Sequence, residues 1–154
     1  MESHSHHPGP HTSSWNEEAA VARFTSHGVK PTAIRLLVYR ELGKVSHPLS
    51  LRDMEERLVT MDKSTIFRAL SLLLQHHLIH GIEDGSGSLK YELCHGHDEC
   101  TPDDQHTHFF CECCHRTFCL PSIPVPQVEL PQGFRVNTIN YIVKGICPQC
   151  ASEQ

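Results

Sequence analysis

The chain of 154 residues gathers its reactive side chains in one stretch, Cys94 to Cys119, which reads CHGHDECTPDDQHTHFFCECCHRTFC. Six of the eight cysteines and five of the fourteen histidines lie there. Thiolates and imidazoles at this density suit zinc and other borderline or soft metals. Buried free thiols are the plain alternative, because cysteine packs as a small hydrophobe. That use can absorb one or two of these residues but not the cluster. Two spacings sharpen the reading. Cys111-x-x-Cys114 and Cys147-x-x-Cys150 each set two sulfurs on one tight turn, and together they form a closed four-thiolate site. A closed site has no open coordination position, so structural zinc is the expected occupant. The 32 residues between the pairs exceed ordinary ribbon spacing and require a strand excursion inside the loop. Cys113, inside the first pair, stays unassigned.

Two disulfides would use the same four cysteines. The opening residues MESHSHHPGPHTSS carry no apolar signal-peptide core, so a cytoplasmic location is expected, where thiols stay reduced. No apolar run reaches the length of a membrane helix. A zinc hydrolase or deaminase needs an open-position ion with a general-base Glu beside it. The H-E-x-x-H pattern is absent, and no enzyme activity is expected. Net charge is −5, but it is unevenly spread. Arg23 to Arg68 holds nine Lys/Arg against five Asp/Glu, whereas the chain from Cys94 onward holds three against seven. A basic first half and an acidic, metal-attracting second half follow.

The elements that must position these groups can be taken in order. Residues 1–13 form a polar tail expected to be disordered, and His4, His6, His7 and His11 belong to it. Ser14 with Glu17 predicts a capping box opening a first helix, with Gly28 after its end. Thr32 caps a second helix, Ala33 to Leu42, stopped by Gly43. Ser50 caps a third, with Leu51, Met54 and Leu58 on one face. Asp62 caps a fourth, Lys63 to His76, whose apolar face is Ile66, Leu70, Leu73 and Leu74. A strand from Leu78 to Ile82, a turn at Asp84-Gly85 and a returning strand complete a hairpin. In the return strand Leu89, Tyr91 and Leu93 are expected inward, with Lys90 and Glu92 outward. Beyond a polar linker, short strands are expected at His108–Cys111, Thr117–Leu120 and Phe134–Lys144. The prolines between the last two leave room only for a very short helix.

Short helices followed by a hairpin describe a winged helix-turn-helix, with the fourth helix as the groove reader. The fold class expected is α+β: a winged helix-turn-helix, then a small α/β dimerisation domain. The boundaries are a tail at 1–13, a DNA-binding domain at 14–93, a hinge at 94–105, and a dimerisation and metal-binding domain at 106–154.

GVKPTAIR (Gly28–Arg35), STIFRAL (Ser64–Leu70), HTHFFCECC (His106–Cys114) and GICPQC (Gly145–Cys150) occur in that order. With them the chain resembles the ferric uptake regulator family of bacterial metal-dependent repressors, from about Glu17 to Cys150. The resemblance implies a homodimer that closes on metal and grips double-stranded DNA at an AT-rich palindromic operator. It implies Lys30 in the minor groove, Thr65, Phe67 and Arg68 at the major groove, and Ser64 and Arg35 at phosphates. It further implies a regulatory metal at the hinge, held by residues drawn from His80, Glu92 and Cys94, then His106 and His108, then Cys119. His47 matches a ligand of some members approximately, and His95, His97 and Cys100 are alternatives within the linker. A further ligand site of the family is expected to be absent, with Gln105, Thr107 and Ile139 at its positions.

Iron and peroxide sensors usually carry a carboxylate where this chain has Cys119, and zinc-type members have a cysteine at the position of Cys94. The second divalent metal is therefore expected to be zinc rather than iron, and the function a repressor of metal-uptake genes. The alternative is an iron-, haem- or redox-responsive member, the last two using Cys94, Cys100, Cys113 or Cys119. Three departures from the family stand out. Phe67 replaces a Tyr, His115 replaces a Gly, and the prolines after Leu120 replace a helix.

Overall fold

The structure, a computed structural model, describes residues 15–45, 47–93, 106–136 and 139–153. Helix α1 (Glu17–Ser26) starts later than Ser14, which lies outside the described residues. Its cap is Asn16, whose side chain accepts from the Ala19 amide at 3.0 Å. Asn is as good a cap as Ser, and from there Glu17 and Glu18 fall on the positive end of the helix dipole. Helix α2 (Ala33–Gly43) is capped by Thr32 as predicted. Strand β1 (Leu49–Ser50) runs without a loop into α3 (Leu51–Arg57). There Ser50 and Asp53 form a complete capping box, at 3.1 and 2.9 Å.

Helix α4 (Lys63–Gln75) follows a turn closed by the Met61 amide on the Leu58 carbonyl. Asp62 stands at its N-cap but takes no backbone amide with its side chain. Strands β2 (Ile79–Glu83) and β3 (Leu89–Leu93) form the wing, and the antiparallel sheet has the order β1-β3-β2. Phe24, Val38, Met54, Ile66, Leu70, Leu73 and Leu78 are fully buried and form one core. Each such side chain is worth about 1.5–3 kcal/mol relative to exposure. Phe24 meets Tyr39 edge-on, centroids 5.2 Å apart. The ends of α1 and α4 are laced together: His27 Nδ1 donates to the His76 carbonyl at 2.9 Å, and His76 Nδ1 to the His27 carbonyl at 3.0 Å. A carbonyl only accepts, so both rings carry their proton on Nδ1.

The second half holds β4 (His106–Cys111), β5 (Thr117–Pro124), β6 (Ile142–Gly145) and α5 (Pro148–Ser152). Their order is β5-β4-β6, with β4 antiparallel to β5 and parallel to β6. Two predicted boundaries change. Strand β5 runs past Leu120 to Pro124, because it is an edge strand and a proline there costs no ladder bond. Of the last predicted strand, Phe134–Lys144, the described residues are strand from Ile142, in Ile142–Gly145, with 137–138 outside the described residues, and the described residues 125–136 contain no helix. Apolar core is scarce here: Cys111, Cys147 and Cys150 form the one buried cluster among the described residues, with Phe109 and Phe118 against them, and Phe110 is buried besides. The whole is α+β, a winged helix-turn-helix followed by a small α/β unit, as predicted. No described helix is long and apolar enough to cross a membrane.

The return strand of the wing departs from its prediction. Its outward face is not solvated but lies on the second half. Glu92 is 6% exposed, against 36% for Leu89 on the face predicted inward.

Candidate metal centres and nucleic-acid interface

Cys111 ends β4, Cys114 lies in the turn after it, Cys147 caps α5 and Cys150 lies within α5. The main-chain pairing of β4 with β6 brings these two turns together: Cys111 is opposite Gly145, and the Glu112 amide donates to the Gly145 carbonyl at 2.8 Å. The four Sγ atoms all lie within 4.8 Å of one another. Cys114 and Cys147 are 3.9 Å apart through sulfur. A tetrahedral zinc with bonds of about 2.3 Å needs sulfurs about 3.8 Å apart, whereas a disulfide needs about 2.05 Å. The six described cysteines are all free, so the disulfide reading fails for these four. The amides of Cys114 and Cys147 bring the Cys111 thiol down to about 6, while the neighbouring Cys147 thiol and burial push Cys150 up. The Cys111 sulfur is thus disposed toward the thiolate, the form in which cysteine binds a metal. The donor set fits zinc. Cys113 is exposed beside it.

His115 explains a departure noted in the sequence. It has φ +60°, and its amide closes the knuckle turn on the Cys111 carbonyl at 2.9 Å. This left-handed conformation is the one glycine adopts without penalty.

A second group of donors spans the two halves. Glu92 of β3, His108 of β4 and Cys119 of β5 place a carboxylate oxygen, a ring nitrogen and a sulfur within 4.8 Å of one another. His108 and Cys119 are directly opposed across β4 and β5, so they share a sheet face. His108 Nε2 lies 2.9 Å from Glu92 Oε2. Burial pushes the Cys119 thiol up to about 12, helped by the charge of Glu92 and a hydrogen bond to it. A borderline divalent ion matches one oxygen, one nitrogen and one sulfur.

Of the residues predicted for this site, Glu92, His108 and Cys119 converge. His80 is the cross-strand neighbour of Glu92 in the wing. His106 opens β4, while Cys94, His95, His97 and Cys100 lie outside the described residues. His47 is not in the group. It lines a cleft of about 500 Å³ with Asp53, Arg57, Lys90 and Arg116. Burial, then Arg57 and Arg116, lower its pKa.

On the reading helix Phe67 is 48% exposed, and Ser64 and Arg68 are exposed with it. Thr65 is half-buried. Their polar atoms are engaged locally. The Asp62 carboxylate accepts from Ser64 Oγ at 2.9 Å and Thr65 Oγ1 at 2.8 Å, and Arg68 folds back on the Ser64 carbonyl. Hydrogen bonds from Thr65 and then Ser64 keep Asp62 below the usual carboxylate range. Arg35 donates to the Lys30 carbonyl at 3.0 Å, joining the cation predicted at phosphates to the one predicted in the minor groove. Sequence reasoning took Asp62 for a backbone cap. A carboxylate followed at +2 and +3 by hydroxyls was the available signal that it would orient them instead.

His97-Asp98-Glu99 is an H-x-E triplet, but the P-C-x-x-C that completes a zinc-deaminase signature is absent. A model of the ferric uptake regulator family matches residues 26–143, and the chain belongs to that family. It is a metal-responsive transcription regulator and not an enzyme. No curated protein matches the sequence. Among solved structures, a zinc uptake regulator complexed with zinc and DNA superposes with a TM-score of 0.63 at 22% identity, over 88% of this chain and 93% of that one. The Vibrio cholerae ferric uptake regulator gives 0.59 at 16% identity, over 83% and 99%. Holo XcZur gives 0.63 at 19%, over 88% and 96%. At these identities the likeness is one of fold.

Proposed function

We propose that the chain is a zinc-responsive repressor of metal-uptake genes that binds an AT-rich palindromic operator as a homodimer. The observation carrying this reading is the convergence of Glu92 from the wing with His108 and Cys119 from the second half. An ion held there ties the reading helix to the other half, so it favours one relative angle of the two from among many. His80, Cys94 and His106 are the residues available to complete its shell. Cys111, Cys114, Cys147 and Cys150 hold a separate structural zinc. Residues 14–93 act as the DNA-binding domain, 94–105 as the hinge and 106–154 as the dimerisation domain, with 1–13 as a tail. Lys30 enters the minor groove, Thr65, Phe67 and Arg68 face the major groove, and Ser64 and Arg35 meet phosphates. For this, Thr65 and Arg68 must exchange their local partners for DNA.

Zinc is favoured over iron by the sulfur of Cys119. An iron-responsive repressor is the second reading, and the hard oxygen of Glu92 is the observation in its favour. The test is selection of duplexes from a random pool by protein loaded with zinc, iron(II) or manganese in turn, then titration of metal-stripped protein with each ion. Zinc is expected to activate binding at the lowest free concentration. Activation by iron alone would overturn the zinc assignment. The pair Phe67→Ala and Arg68→Ala is expected to abolish specific binding with zinc content intact.

A further inference from the structure

The wing meets the second half along two rungs, and only one of them holds the candidate metal site. Lys90 and Glu92 project from the same face of β3, two residues apart. Thr117 and Cys119 do the same on β5, facing Phe110 and His108 of β4. The Glu92 rung is the sensing site. The other rung is an ionic joint. Lys90 Nζ lies 2.7 Å from Asp84 Oδ2 and 2.9 Å from Thr117 Oγ1, and reaches the His115 carbonyl at 3.4 Å. Thr117 Oγ1 donates to Asp84 Oδ2 at 2.6 Å. The Lys90 ammonium also lies 5.2 Å from the centre of the Phe110 ring. The side chains of Asp84 and Lys90 are 0% and 11% exposed, and Thr117 is 1% exposed. At the wing tip, Gly85 (φ +83°) sits against the Lys144 side chain of β6.

A buried ion pair adds little net stability, since desolvation offsets its attraction. Its value is geometric, because the charges fit together in one arrangement only. We infer that Asp84, Lys90 and Thr117 form a metal-independent joint that docks the wing on the second half and thereby positions Glu92 opposite His108 and Cys119. Strand rise is about 3.3–3.4 Å per residue, so the joint and the sensing site are about 7 Å apart on the same strands. With the joint closed, an incoming ion meets its donors from both halves already together. With it open, the ion must also bear the entropy of docking the wing. Asp84, Lys90 and Thr117 are positioning residues, and their role rests on the sensing-site reading above.

Removing either charge alone would strand the other in the interior, so the hydroxyl is the place to cut. The experiment compares wild type, Thr117→Val and Thr117→Ser, each holding only its structural zinc. Amide hydrogen exchange across β3 and β5 is followed first, then zinc affinity at the second site and operator binding. Thr117→Val is expected to speed exchange in the absence of the second ion and to weaken zinc binding on the order of tenfold, within the usual range of coupling between sites. Operator binding should return at saturating zinc, and Thr117→Ser should behave as wild type. Unchanged exchange and affinity in Thr117→Val would overturn the inference. Operator binding that stays lost at saturating zinc, with structural zinc retained, would overturn it too. Cys119→Ser, measured alongside, reports on the sensing site. If it binds the second zinc as wild type does, the site assignment fails, and the exchange comparison still decides the joint.

Discussion

Asp84 is the most enclosed carboxylate between the two halves. Burial acts to raise its pKa, and hydrogen bonds from Lys90, Ser86 and Thr117 outweigh that and hold it well below the ordinary carboxylate range. A carboxyl depressed on folding adds stability above its unfolded pKa, about 3.9, and loses it as pH falls toward the folded value. The unfolding free-energy difference between wild type and Asp84→Asn should therefore stay flat from about pH 8 to about pH 5 and shrink below about pH 4. Urea titrations at each pH measure it, and a difference that is flat throughout would show that Asp84 carries no such linkage. At this scale the sequence was legible where spacing alone imposes geometry. Two C-x-x-C pairs can do few things, and they met. It was illegible at Lys90, and Glu92 was offered as a ligand by the family resemblance and not by its place in the strand. Alternation says that they share a face, but not that another part of the chain will cover it. Asp84 was read as a turn residue for the same reason, since its partners are six and thirty-three positions away.

Among elements, the contrast lies between a first half held by apolar packing and a second half held by sulfur. The caps of α2 and α3 were readable because capping is local chemistry, settled within three residues. The length of β5 was not, because a proline's cost depends on whether its strand is central or at an edge, which is decided by tertiary pairing. Because Cys111, Cys147 and Cys150 make up the buried core around β4, β6 and α5, an ion on these thiolates stabilises folding directly. Chelation strong enough to strip the four-thiolate site is expected to abolish hydrogen-exchange protection in β4, β6 and α5 while α1 to α4 keep theirs. Equal loss in both halves would mean that the first half depends on the second.

For the whole molecule, the notable surface is apolar. Phe134 is 67% exposed and Val128 62%, and Val136, Tyr141, Val143 and Ile146 are exposed with them. These residues belong to the half proposed to dimerise, and large apolar side chains exposed in such number are expected to be covered at least in part. Val143→Glu should shift sedimentation toward monomer at micromolar concentration and weaken self-association by about 2 kcal/mol or more, the scale of an interface hot spot. Operator binding should weaken with it. A dimer of unchanged affinity would place the interface elsewhere. The winged helix and the four-thiolate site were visible together in the sequence because each has a pattern of its own. The union of the halves has none.

Strand β3 gives this arrangement a mechanical consequence. It is the middle strand of its sheet, with Lys90 opposite Ser50 of β1. Ser50 is also the residue that caps α3, with no intervening loop. In the proposed regulator, torque at the hinge would therefore pass through the two-residue β1–β3 pairing into the axis of α3, the first helix of the proposed reader pair, with no loop between β1 and α3 to absorb it. On that reading the wing would work less as a flap beside the DNA reader than as the handle by which the reader is turned.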